Sequence, residues 1–132
     1  MTTDQLTRTT VARYLAVWGE ADPRLRREAV AALWAADGVE FVEGARFTGH
    51  EELAARVAEA YQAFVGSGSY TVTGADDATG HGDLVVFTIQ LLHAHGDDAG
   101  QVAWAARVFL VLGEDGLIRQ DYQLTVQPLA AG

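Results

Sequence analysis

The stretch Leu117–Val126, "LIRQDYQLTV", decides how this chain is put together. It reads as a β-strand, in which side chains alternate between two faces. One set, Ile118, Tyr122, Leu124 and Val126, is mostly apolar, and the other, Arg119, Asp121, Gln123 and Thr125, is polar. Two arrangements fit. Either the apolar set packs on the core and the polar set is wet, or the polar set lines an internal pocket and the apolar set forms an outer face. In the second arrangement Asp121 becomes a chemical group instead of a solvated one.

Working outward, three earlier segments also read as strands: Tyr70–Gly74, Leu84–His95 and Val102–Leu112. Glycine- and aspartate-rich turns separate them, and "GDDAG" and "GEDG" are hairpin connections. The first half of the chain is helical. A helix over Asp4–Trp18 puts Val11, Tyr14, Leu15 and Trp18 on one stripe and stops at Gly19. "ADP" starts a second helix, with Asp22 as N-cap and Pro23 at the first helical position; Leu25, Ala29, Leu33 and Trp34 supply its apolar side. "VEFVEG" is a short strand whose buried face carries Val39, Phe41 and Glu43. "TGHE" opens a third helix, with Thr48 and Glu51 in capping-box spacing, a stripe of Leu53, Val57, Ala60, Tyr61 and Phe64, and Gly66 as its end. The expected order is α-α-β-α-β-β-β-β: an α+β domain whose curved antiparallel sheet wraps three N-terminal helices around a conical cavity.

Composition narrows the chemistry. The 132 residues are expected to form a single domain, 1–132, and the 49% hydrophobic fraction can fill a core. A net charge of −9 repels phosphate backbones, which argues against nucleic-acid partners. No apolar run is long enough to span a bilayer and no signal pattern opens the chain, so no membrane partner and a cytoplasmic location are expected. Cysteine is absent, all nine basic residues are arginine, and the only serines, Ser67 and Ser69, lie in "GSGS". Thiolate, Schiff-base and Ser-His-Asp chemistry are thereby set aside. Carboxylates, histidines, tyrosines and arginines remain.

The run "ARYLAVWGEADPRLRREAVAALWAADGVEFVEG", followed by "FTGHEELAARV" and a sheet closing on "GEDGLIRQDYQL", resembles the SnoaL-like polyketide cyclase and ketosteroid isomerase-like branch of the nuclear transport factor two-like superfamily. The resemblance covers nearly the whole chain. It implies a cone-shaped fold, a homodimer through the outer sheet face, and a small hydrophobic, oxygenated substrate handled without a cofactor. Tyr14 matches the ketosteroid isomerases' oxyanion-hole tyrosine. Their general-base aspartate falls on Val42, or on Glu43 with a one-residue shift, and their second oxyanion donor falls on Val108, where the acid is missing. Polyketide cyclases of this type use a buried aspartate with a nearby histidine; Asp121 and His93 are the candidates for such a pair.

The expected catalytic residues are therefore Asp121, Tyr14, His93 and Glu43. The expected substrate contacts are Trp18, Trp104, Gln123, Tyr61 and Arg107. Each has a plainer alternative: Tyr14 as a core tyrosine bonded to a backbone carbonyl, Glu43 as a strand-end residue in solvent, Arg107 as the partner of a carboxylate on an adjacent strand. "HAH", His93 to His95, lacks a third ligand at a useful spacing, and no metal is expected. The functional expectation is a cofactor-free cyclase, isomerase or dehydratase of natural-product biosynthesis, working by general acid-base catalysis. The alternative is a non-catalytic small-molecule-binding or accessory protein.

Overall fold

The structure, a computed structural model, describes residues 3–130. Helix α1 (Thr3–Gly19) buries Tyr14 and Trp18 of the expected stripe, with Val11 and Leu15 partly buried and Val17, which was not expected, buried beside them. Helix α2 (Pro23–Leu33) starts as expected: the Asp22 carboxylate accepts from the Arg24 and Leu25 backbone amides, and Pro23 takes the first position. Its buried side differs from expectation. Val30, Leu33 and Arg26 are buried, Leu25 is exposed, and Trp34 belongs to the following strand. Arg26 is tolerated inside because its guanidinium donates to the Glu20 carbonyl at 2.7 Å and lies 4.7 Å from the centre of the Tyr61 ring.

Strand β1 (Trp34–Val42) turns through Glu43 and Gly44 into a strand that had not been expected, β2 (Ala45–Thr48). Both turn residues have positive φ, 40° and 85°, the geometry of a two-residue hairpin loop. Helix α3 (Gly49–Ala60) follows and runs into a π-helical turn, Tyr61–Val65, ending at Gly66. The expected Thr48–Glu51 capping box is replaced by another contact: the Thr48 amide donates to Glu52, and the Thr48 side chain makes no cap. The remaining strands are β3 (Tyr70–Gly74), a short unexpected β4 (Thr79–His81), β5 (Leu84–His93), β6 (Val102–Leu112) and β7 (Ile118–Gln127).

The seven strands form one open sheet in the order β2-β1-β7-β6-β5-β3, with β4 on β5. It is mixed, correcting the all-antiparallel expectation: β1 and β7 run parallel, with Glu40 opposite Asp121 and Val42 opposite Gln123. The sheet packs on the helices through Trp34, Val85, Phe87, Ile89, Ala106, Val108, Leu110, Leu112 and Ile118.

Two register shifts decide which residues face inward. Pairing of β1 with β7 slips between Trp34 and Val39, and pairing of β6 with β7 slips between Leu112–Ile118 and Val111–Gln120. The backbones approach closely there. A Cβ on Gly38 would lie 2.9 Å from the Ile118 carbonyl oxygen, so only glycine fits. The slip lets Ile118 share the inner face with Asp121 and Gln123, instead of joining the outer set. On β1 it turns Glu40 inward, fully buried, and leaves Val39 and Phe41 only half-buried on the other face. Phe41 stacks there on Tyr122 at 4.9 Å, beside Leu124 and Val126, which are exposed.

Candidate functional site

A cavity of about 260 Å³ opens between the sheet and the helices. Its wall is mostly apolar, including Val42, Ala60, Phe64, Val72, Ile89, Leu91 and Trp104. Trp18 on α1, Arg56 on α3, Gln123 and Thr125 on β7, and Glu43 in the β1–β2 turn supply its polar atoms. An apolar enclosure with a few placed polar groups is the usual form of a small-molecule site.

Behind Gln123 lies a chain of buried polar groups. The Gln123 amide nitrogen donates to the Tyr14 hydroxyl at 2.7 Å, and that hydroxyl donates to Asp121 Oδ2 at 2.8 Å. Glu40 stands opposite Asp121 where β1 pairs with β7, and Arg56 Nε donates to Glu40 Oε1 at 3.0 Å. Tyr14, Asp121 and Glu40 have no exposed surface. Four elements supply the chain: Tyr14 comes from α1, Glu40 from β1, Arg56 from α3, and Asp121 and Gln123 from β7. The Tyr14 ring is held by edge and tilted contacts with Phe87, Trp34 and Trp18, at 5.3, 5.7 and 5.8 Å.

The electrostatics follow from this burial. Two carboxyls facing each other in a dry interior cannot both be ionised. Burial pushes Asp121 well above the usual carboxylate range, and the Glu40 charge pushes it further. Glu40 is also raised by burial, but Arg56 pulls it back. The proton of the pair therefore resides on Asp121, and Glu40 is the ionised member, neutralised by Arg56. Asp121 Oδ1 and Glu40 Oε2 are buried without a hydrogen-bond partner among the described residues, and a proton held between the two carboxyls would satisfy both. Tyr14 is raised well above the ordinary phenol range by burial and by the two carboxyls, and so stays protonated.

The expected site residues divide. Trp18, Trp104 and Gln123 line the cavity. Tyr14 and Asp121 are hydrogen-bonded to one another but lie beneath the cavity floor, not on its surface. Glu43 lines the rim in solvent. It accepts from the Thr125 amide at 2.8 Å, which lowers its pKa, the reverse of the raised value expected on a buried face. His93 is not the neighbour of Asp121. Asp121 stands opposite Leu110, and Leu110 opposite Val85, whereas His93 lies eight residues further along β5, roughly 26 Å away at ~3.3 Å per residue. Its ring packs on Tyr70 at 5.7 Å. Tyr61 does not reach the cavity; its ring lies beneath Arg26. Arg107 points to the outer face and pairs with Asp77 at 2.7 Å, also meeting the Thr88 hydroxyl. Its carboxylate partner sits in the loop between β3 and β4 instead of on an adjacent strand. Glu40 and Arg56 are the residues the sequence reading missed. No group of three or more metal-binding side chains is found among the described residues, and no described helix is long and apolar enough to cross a membrane.

No family model matches the chain, and no curated protein matches it significantly. Solved structures do. A proposed isomerase of the SnoaL-like family from Agrobacterium tumefaciens is 26% identical, superposes with a TM-score of 0.79, and is covered over 97% of its length by 92% of this chain. A proposed polyketide cyclase from Sinorhizobium meliloti shares 18% identity at a TM-score of 0.65, over 87% of this chain and 93% of that one. A protein of ketosteroid isomerase-like fold from Catenulispora acidiphila, solved with trimethylamine, shares 25% identity at a TM-score of 0.65, over 86% and 82%. The chain thus has the nuclear transport factor two-like fold and is similar to its SnoaL-like and ketosteroid isomerase-like branch.

Proposed function

We propose that this chain is a small SnoaL-like enzyme that cyclises, isomerises or dehydrates a hydrophobic, oxygenated metabolite by proton transfer, without a cofactor. One observation carries the reading: a carboxyl held protonated, Asp121, reaches an apolar cavity through Tyr14 and Gln123. In this mechanism Gln123 and Arg56 orient the substrate oxygen. Tyr14, which accepts from Gln123 and donates to Asp121, holds the Gln123 amide in place from beneath the floor. Such preorganised donors stabilise charge only where it appears, which is where they accelerate a reaction. A carboxylate at the rim, Glu43, is the group placed to accept a proton from carbon.

The test is hydrogen–deuterium exchange at carbons next to a carbonyl, across a panel of polycyclic ketones and β-dicarbonyl compounds in D2O. At least one member should exchange faster with the protein, and Glu43→Gln should lower that rate by roughly a hundredfold, a usual general acid-base contribution. No acceleration for any member, or an unchanged rate in the variant, would overturn the reading.

One observation favours a second reading, a binding or accessory protein without turnover. Tyr14, Asp121 and Glu40 are sealed from the cavity, so the chain of bonds could serve to brace its floor. A ligand recovered unchanged after saturating, prolonged incubation would support it.

The proposal includes a homodimer through the outer sheet face. Leu124 and Val126 are 53% and 62% exposed next to the Phe41–Tyr122 stack, an apolar patch that a second copy would cover. A role in natural-product biosynthesis agrees with the likeness to a proposed polyketide cyclase.

A further inference from the structure

We propose that Arg56 makes the cavity a site for an apolar carboxylic acid, whose carboxylate pairs with the guanidinium while its hydrocarbon body fills the cone. The inference rests on the reading of this cavity as a small-molecule site and adds the chemistry of the ligand's polar end.

Arg56 lies three residues after Leu53 and four before Ala60, so helical spacing aims it at the interior. It lines the cavity, and its side chain is 21% exposed. Three contacts fix it from behind. Nε donates to Glu40, and the guanidinium carbon lies 5.1 Å from the Trp18 ring and 5.6 Å from the Phe47 ring. A guanidinium carries five N–H donors. Only the one on Nε is engaged, and those on Nη1 and Nη2 have no hydrogen-bond partner among the described residues.

The other polar groups at the cavity are neutral or act as acceptors, and the Trp18 indole N–H is a neutral donor without a partner among the described residues. Gln123 gives one of its two amide hydrogens to Tyr14, and Glu43 accepts from the Thr125 amide. Among the described residues, Arg56 is thus the one charged group at the cavity with paired donors to spare, already oriented, in an apolar wall. A planar fork of paired N–H groups matches a carboxylate better than it matches a hydroxyl or a ketone, and the charge-assisted bonds are the stronger ones. Glu40 does not compete for the remaining donors, because it meets the guanidinium through Nε. An acid too large for about 260 Å³ would be excluded, and a short polar acid would leave the apolar wall unsatisfied.

Calorimetric titration with octanoate and 1-octanol tests this, because the pair shares a chain and differs at the head. The native protein should prefer octanoate by at least about tenfold, the equivalent of one added charged contact. Arg56→Gln alone strands a buried Glu40 and risks misfolding. The double variant Glu40→Gln/Arg56→Gln removes both charges together and should bring the two affinities within about twofold. Equal affinities in the native protein, or a preference for octanoate that survives in the double variant, would overturn the assignment to Arg56 and leave the cavity standing as a neutral-ligand site. Binding of neither compound would overturn the carboxylate proposal together with the small-molecule reading beneath it.

Discussion

Glu40 and Asp121 stand opposite one another where the parallel strands β1 and β7 meet, both without exposed surface. Parallel pairing in this register sets the two side chains on the same face at the same height. Arg56 approaches Glu40 from α3 and Tyr14 approaches Asp121 from α1. The asymmetry assigns the proton. The carboxyl beside the guanidinium is the anion, and the carboxyl beside the phenol is the acid.

This asymmetry predicts a pH dependence of stability. Asp121 is raised from an ordinary value of 3.8, so the folded state keeps a proton that the unfolded chain releases. Its contribution is fully present below about pH 4 and is lost as pH climbs towards the folded-state pKa, at about 1.4 kcal/mol per pH unit. Asp121→Asn has no proton to release. Urea denaturation should therefore show the variant gaining on the native protein between pH 4 and 7. A difference that stays constant over that range would contradict a raised Asp121.

Filling the cavity should separate binding from folding. Ala60 lines it from the end of α3, and phenylalanine there would project into empty space instead of into packed core. Ala60→Phe is expected to keep the thermal midpoint within a few degrees and to weaken binding of any cavity ligand at least about tenfold, since the site volume is what confers complementarity. Unchanged affinity would place the ligand elsewhere.

The outer face makes a third prediction. Val126→Arg sets a charge in the exposed apolar patch beside Leu124, away from the cavity. Sedimentation equilibrium at micromolar concentration should give a dimer for the native chain and a monomer for the variant. A native monomer would contradict the proposed assembly.

Much of the fold was legible in the sequence, for reasons that can be named. The caps and stripes of the helices are local, and so are the hairpin signals "GDDAG" and "GEDG". The inward facing of Asp121, Gln123 and Thr125 came from the family resemblance and not from alternation, which permits either face. What failed was parity. Counting alternation through Val39, Phe41 and Glu43 assumes an unbroken strand, but the slip beside Gly38 reverses it, so Glu40 is buried and Glu43 is not. The "EG" pair that closes the β1–β2 hairpin was a readable signal for both the extra strand and the exposure of Glu43. Arg56 was readable too, as a cation three residues beyond Leu53 on the buried stripe. Its partnership with Glu40 was not, because it depends on how α3 crosses the sheet. His93 failed on distance: sharing a face with the core residues of β5 says nothing about position along the strand.

The most direct test of the account is the ionisation of Asp121 itself, followed by carbon NMR of its side-chain carboxyl from pH 3 to 9, with Asp121→Asn identifying the resonance. The prediction is a carboxyl that stays protonated well above the pH at which exposed aspartates have titrated. A carboxyl that ionises at or below the ordinary aspartate range would contradict the shared-proton pair and, with it, the role of Asp121 as the acid beneath the cavity.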